Sequence, residues 1–122
     1  MAGVVKRYTR NPVGAHYGVR DWLLQRLTGV VMVLYTVAFA ACLLVGPPAT
    51  YADWRTLFAG PFVRLATLFF VAALLYHAWV GMRDIVMDYV KPTGLRLGLQ
   101  AVIGGVLLLY LLWAASILWG TR

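Results

Sequence analysis

Two histidines occur among the 122 residues, His16 and His77, and only one is placed to do unusual chemistry. His16 lies in a polar N-terminal segment and reads as a solvated side chain. His77 lies inside an uncharged apolar run, five residues before its last member, Met82. On a helix that puts the imidazole roughly 7–8 Å from the charge boundary at Arg83. An ionisable group at that depth must face a helix bundle and find a partner. Three roles are open to it: a hydrogen bond to a neighbouring helix, a proton relay, or a ligand to a metal such as haem iron.

The surroundings of His77 narrow its environment but not its role. Phe70, Leu74, Gly81, Asp84 and Asp88 fall on the same helix face. That face grades from bulky and apolar to acidic. Gly81 would let a flat macrocycle, or simply another helix backbone, approach closely. Asp84 is most simply an interfacial charge paired with Arg83 or Lys91, and spacing leaves Asp88 undecided. A haem held by two histidines needs both at membrane depth. This chain supplies one, so the other would come from a second polypeptide. Arg26 is the next candidate. It is either a cation that snorkels to the headgroups or a fork that grips a carboxylate such as a haem propionate.

The elements that would hold these groups follow from the charges. No charge occurs over Leu27–Val45, Leu65–Met82 or Leu97–Thr121, runs of 19, 18 and 25 residues. Each is long enough to cross about 30 Å of hydrocarbon as a helix. None shows the two-residue alternation a barrel strand requires. The expected architecture is therefore all-α: a three-helix membrane bundle with spans at about 27–45, 65–88 and 97–120. It forms one domain over 1–122, of which 1–22 is a polar N-terminal segment. Gly46-Pro47-Pro48, Gly60-Pro61 and Lys91-Pro92 punctuate the spans. Thr50 and Asp53, spaced as a capping box, predict a short interfacial helix between the first two.

Composition agrees. Apolar residues make up 62% and charged residues 12%, which excludes a soluble enzyme domain, a disordered tail and a disulfide scaffold. Cys42 stands alone, a small filler in a helix. Although Phe39-Ala40-Ala41-Cys42 resembles a lipoprotein cleavage box, the apolar run continues through Val45. The four polar segments carry five, two, three and one basic residues in chain order. That bias predicts a cytoplasmic N-terminus and an outside C-terminus, with Trp22 and Trp119 near opposite headgroup layers. The five N-terminal basic residues read as a topology signal in contact with anionic lipid, too sparse for nucleic acid. There is no HExxH, GxGxxG, CxxC or phosphate loop.

One stretch is more specific than any of this. His77-Ala78-Trp79-Val80-Gly81-Met82-Arg83-Asp84-Ile85-Val86-Met87-Asp88-Tyr89-Val90-Lys91-Pro92 resembles the signature of the D-type hydrophobic membrane-anchor subunit of bacterial succinate dehydrogenase, respiratory complex II. The resemblance extends from Val19 onward and includes Arg26, Leu34-Tyr35 and Leu95-Arg96-Leu97. It implies an anchor in the bacterial cytoplasmic membrane with no catalysis of its own. Its partners would be a second, C-type cytochrome b anchor, an iron–sulfur subunit and a flavoprotein. It implies that His77 is an axial ligand of haem b and that Arg26 lies near a propionate. It further implies that Tyr89 donates a hydrogen bond to ubiquinone, with Asp88 supporting that site. A tyrosine hydroxyl is a donor at neutral pH, suited to a carbonyl oxygen gaining negative charge, and a carboxylate beside it can orient it or relay protons. On an unbroken helix Tyr89 would lie about 18 Å beyond His77 and be rotated by about 120°. An anchor of fumarate reductase and a non-redox three-helix scaffold or transporter are the alternatives.

Overall fold

The computed structural model describes residues 13–120, with side chains from Gly18 onward. The basic residues Lys6, Arg7, Arg10 and Arg122 and the His16 side chain lie outside the described residues. Four helices follow in order: α1 (Val13–Val45), α2 (Tyr51–Ala59), α3 (Pro61–Tyr89) and α4 (Thr93–Gly120). The described residues contain no strand. Three segments, Gly18–Val45, Pro61–Tyr89 and Thr93–Gly120, are long and apolar enough to cross a membrane.

Each long helix outruns its charge-free window. Asp21 and Arg26 lie inside α1, Asp84 and Asp88 inside α3, and Arg96 inside α4. A charge marks the edge of hydrocarbon, not the end of a helix. At 1.5 Å per residue the 29 residues of α3 span about 43 Å, enough for the core and both headgroup layers.

Backbone chemistry sets the ends. The last turn of α1 closes with Gly46 N–H donating to Cys42 O at 3.0 Å, immediately before two prolines that cannot continue it. Pro61 occupies the first turn of α3, where its missing N–H costs nothing. Val90 caps the other end in extended conformation, two residues before Pro92. The expected interfacial helix is present as α2, with both halves of its capping box formed. Asp53 N–H donates to Thr50 Oγ1 at 3.3 Å, and Asp53 Oδ2 accepts from Thr50 N–H at 2.9 Å and Ala49 N–H at 3.1 Å. The Thr50 hydroxyl also donates to Asp53 Oδ2, at 2.9 Å, and the three bonds to Oδ2 hold the Asp53 carboxyl below the ordinary aspartate value of 3.8, the hydroxyl being the largest contributor.

Helix α3 is the central element, packed by α1 and by α4, with α2 against it as well. Cross-links step along the α1–α3 seam at heptad intervals. Asp21 meets Arg83, Thr28 meets His77, and Tyr35 meets Phe70 and Thr67. The seven-residue step on α1 and the six- or seven-residue step on α3 are those of a left-handed antiparallel pair. Tyr35 stacks on Phe70 with ring centroids 4.4 Å apart, and its hydroxyl lies 2.6 Å from Thr67 Oγ1. On the other side of α3, a Cβ added to Gly104 of α4 would lie 3.2 Å from the Trp79 ring, so the missing side chain at Gly104 makes room for Trp79. Its neighbour Gly105 has no such contact within 4 Å. Among the described residues few apolar side chains are buried: Ala73, Val80, Val86 and Leu118. Apolar side chains such as Val30, Val33, Leu109 and Trp113 point outward, as a surface meant for lipid or another apolar helix requires.

Candidate functional site

Helix α3 presents His77 toward α1, where the imidazole is half-buried. Its Nδ1 lies 3.1 Å from Thr28 Oγ1. The next residue of α1 is Gly29, where an added Cβ would touch His77 Cε1 at 3.8 Å, so backbone flanks that edge of the ring. Of the three roles open to His77, the interhelical hydrogen bond is therefore observed, and it uses one ring nitrogen. Among the described residues Nε2 has no hydrogen-bond partner.

Beside the ring lies an open-sided groove of about 620 Å³, lined by His77, Gln25, Arg26, Gly29, Val30, Val33 and Leu34. Its wall is largely apolar, and its polar groups are the imidazole, the guanidinium and an amide. The structure thus brings Arg26 and His77 to one cavity although 51 positions separate them in the chain. Arg26 sits over the Trp22 indole with its guanidinium carbon 5.0 Å from the ring centroid, a cation–π contact that braces the side chain. Gln25 Oε1 is buried and accepts no hydrogen bond from the described residues. A buried amide oxygen without a donor is uncommon in a native fold and calls for one.

An adjoining cavity of about 490 Å³ shares Gln25 and Arg26 and continues toward Asp21, Arg83 and Asp84. Arg83 donates to Asp21 and lies 3.7 Å from Asp84. Asp84 therefore has the simpler role of an interfacial charge beside Arg83. Among the described residues no atom outside its own helix stands within 4 Å of a Cβ added to Gly81, so none of them packs into a notch there.

Asp88 and Tyr89 are not brought to the groove. Helix α3 runs unbroken through Tyr89, so the two stand about 17–18 Å along the axis from His77. Asp88 keeps the azimuth of His77 and Tyr89 is turned away by about 120°. Both are exposed, Tyr89 at 81%. Among the described residues no group of three or more His, Cys, Asp or Glu converges.

Thr28, Gln25 and Asp21 were not marked as site residues by the sequence. For Asp21 and Thr28 the one signal was spacing: they are seven apart on one helix, and their partners Arg83 and His77 are six apart on the other. Recognising it required knowing which faces meet.

The fold and site define a class: a small three-span membrane bundle with one ligand-capable imidazole opposite an arginine. A family model described as the succinate dehydrogenase/fumarate reductase transmembrane subunit matches residues 7–115, and the chain belongs to that family. The match begins twelve residues before Val19. The chain is 38% identical over 105 residues to the succinate dehydrogenase hydrophobic membrane anchor subunit of Coxiella burnetii, covering 86% of this chain and 91% of that one. It is 34% identical over 86 residues to the subunit of the same name from Rickettsia felis, covering 70% and 72%. For the Rickettsia conorii subunit the figures are 34% over 98 residues, 78% and 75%. With its three spans, the chain is a multi-pass protein of the bacterial inner membrane.

Proposed function

We propose that the chain is the haem b- and ubiquinone-binding anchor of a succinate:quinone oxidoreductase, inactive as an enzyme alone. It serves as one domain with its N-terminus on the cytoplasmic side. Its partners are a C-type cytochrome b anchor supplying the second histidine, an iron–sulfur subunit and a flavoprotein. The observation that carries this reading is His77, bound to α1 through Nδ1 while the ring lines the groove that contains Arg26.

The residues fit a haem. The groove is apolar where a macrocycle needs it and cationic at Arg26, where a propionate needs it. The unpartnered Gln25 Oε1 suits a donor from the neighbouring subunit. When bound, the haem would supply one-electron chemistry. His77 would hold it through Nε2, and Arg26, braced on Trp22, would neutralise a carboxylate. The apolar wall of Val30, Val33 and Leu34 would help to keep water from the haem.

Quinone reduction places two electrons and two protons on the substrate. Tyr89, at the end of α3, donates a hydrogen bond to a quinone carbonyl as negative charge gathers there. Asp88 lies beside it on the chain and close to water, where it can pass protons inward. The exposure of both residues suits a site completed by other subunits.

The test is the reduced-minus-oxidised spectrum of the assembled complex with its succinate:quinone activity. A b-type haem band is expected. A colourless complex would leave the non-redox scaffold. Faster turnover with a low-potential quinone in the fumarate-reducing direction would favour the fumarate reductase anchor.

A further inference from the structure

We infer that Thr28 is a positioning residue that fixes the tautomer of His77, keeping the ring proton on Nδ1 and the Nε2 lone pair open for iron. The inference rests on the haem reading above and adds a residue to it.

Three acceptor-capable atoms surround one hydroxyl. Thr28 Oγ1 lies 2.8 Å from Leu24 O, 3.0 Å from Gln25 O and 3.1 Å from His77 Nδ1. A hydroxyl carries one proton and two lone pairs. Carbonyl oxygens cannot donate, so the two short contacts within α1 are favourable only if the proton points at them. This is the usual back-bond of a helical threonine. Oγ1 then turns its lone pairs toward α3, and Nδ1 must bring the proton. The opposite arrangement, Thr28 donating to Nδ1, would face oxygen lone pairs at two carbonyls below 3.1 Å. It would also leave Nε2 protonated and unable to bind a metal.

The ring cannot easily turn to escape this assignment. Nδ1 is held by Thr28, and the adjacent Cε1 lies against the backbone at Gly29. Nε2 follows Cε1 around the ring, and His77 borders the groove that holds Arg26. A proton donated from Nδ1 makes an imidazole a stronger electron donor to a metal, and such partners matter to affinity by roughly 10–100-fold. Stronger donation favours the ferric state.

Thr28→Val keeps the shape of the side chain and removes the acceptor. In the assembled complex it is expected to raise the haem midpoint potential and shift the ferric electron paramagnetic resonance lines. Haem retention through detergent washing should fall about 10-fold. Thr28→Ser restores the acceptor and should return all three readouts to the wild-type values. If the valine variant fails to assemble, Thr28→Ala, smaller and a good helix former, is read in its place. Unchanged potential and resonance lines in the variant lacking the hydroxyl would overturn the inference. Equal shifts in Thr28→Ser and Thr28→Val would overturn it too, because the hydroxyl would not be what matters. His77→Ala separates the two levels: haem kept in that variant overturns the ligand reading itself, whereas haem lost there with Thr28→Val silent overturns only the role of Thr28.

Discussion

Arg83 of α3 donates to the Asp21 carboxylate of α1 one heptad away from the contact between Thr28 and His77. The ion pair and the histidine bond thus belong to a single helix register. Sliding α1 against α3 by one turn would break both and remove Arg26 from the groove beside His77. The pair serves as a register mark more than as a source of stability, because both side chains remain about one-third exposed, 32% for Arg83 and 29% for Asp21.

For that reason a double-mutant cycle with Asp21→Asn and Arg83→Gln, read by thermal denaturation of the complex, should give a coupling of about 0.2–1 kcal/mol. A coupling near zero with haem content unchanged would show that the register is held elsewhere along the seam.

Arg26→Leu should weaken haem retention or shift its potential, while Arg26→Lys preserves the charge but loses the two-pronged geometry and recovers only part of the effect. Haem extraction and redox titration of the two variants decide this. A change in membrane orientation alone would reduce Arg26 to a snorkelling anchor.

Tyr89→Phe should slow quinone reduction about 10-fold, the scale of one lost hydrogen bond of about 1.5 kcal/mol, and spare succinate oxidation by soluble dyes. Equal losses in the two assays would contradict a role at quinone. The haem spectrum should not change, since Tyr89 stands about 18 Å along α3 from His77.

Asp53 makes the cap of α2 sensitive to acid. Its carboxyl is held below 3.8 when folded, so its contribution is fully present above that value and lost as pH falls through the lowered one. Thermal midpoints of the complex, measured from neutral pH down to about pH 3, should fall less steeply for Asp53→Asn than for wild type. The amide variant should be less stable at neutral pH, because it loses the charge that accepts from Thr50 N–H and Ala49 N–H.

The three spans and the short helix between them were legible because their signals are local. Charge-free windows locate hydrocarbon, and Thr50 with Asp53 announces a helix start. Helix starts were less legible than helix ends: the ends at 45, 88 and 120 fall within one residue of those observed, but α1, α3 and α4 begin at Val13, Pro61 and Thr93, ahead of the charges at Arg26, Arg64 and Arg96 that marked the hydrocarbon edge. The site was legible one residue at a time: His77 by its depth, Arg26 by its place at a span end. The bond to Thr28, the Arg83–Asp21 pair and the unpartnered Gln25 depend on how two helices meet, and spacing within either helix does not fix that. Gly81 suggested a close approach, yet within the chain Gly104 provides it for Trp79. Asp88 and Tyr89 stood out only through the motif around them.

The most direct measurement is the haem content of the purified complex carrying His77→Ala, taken from its reduced-minus-oxidised spectrum beside that of the wild type. The account predicts a complex that assembles and oxidises succinate with a soluble acceptor but has lost the b-type band. A band of unchanged intensity and position, with resonance lines still those of two imidazole ligands, would contradict it.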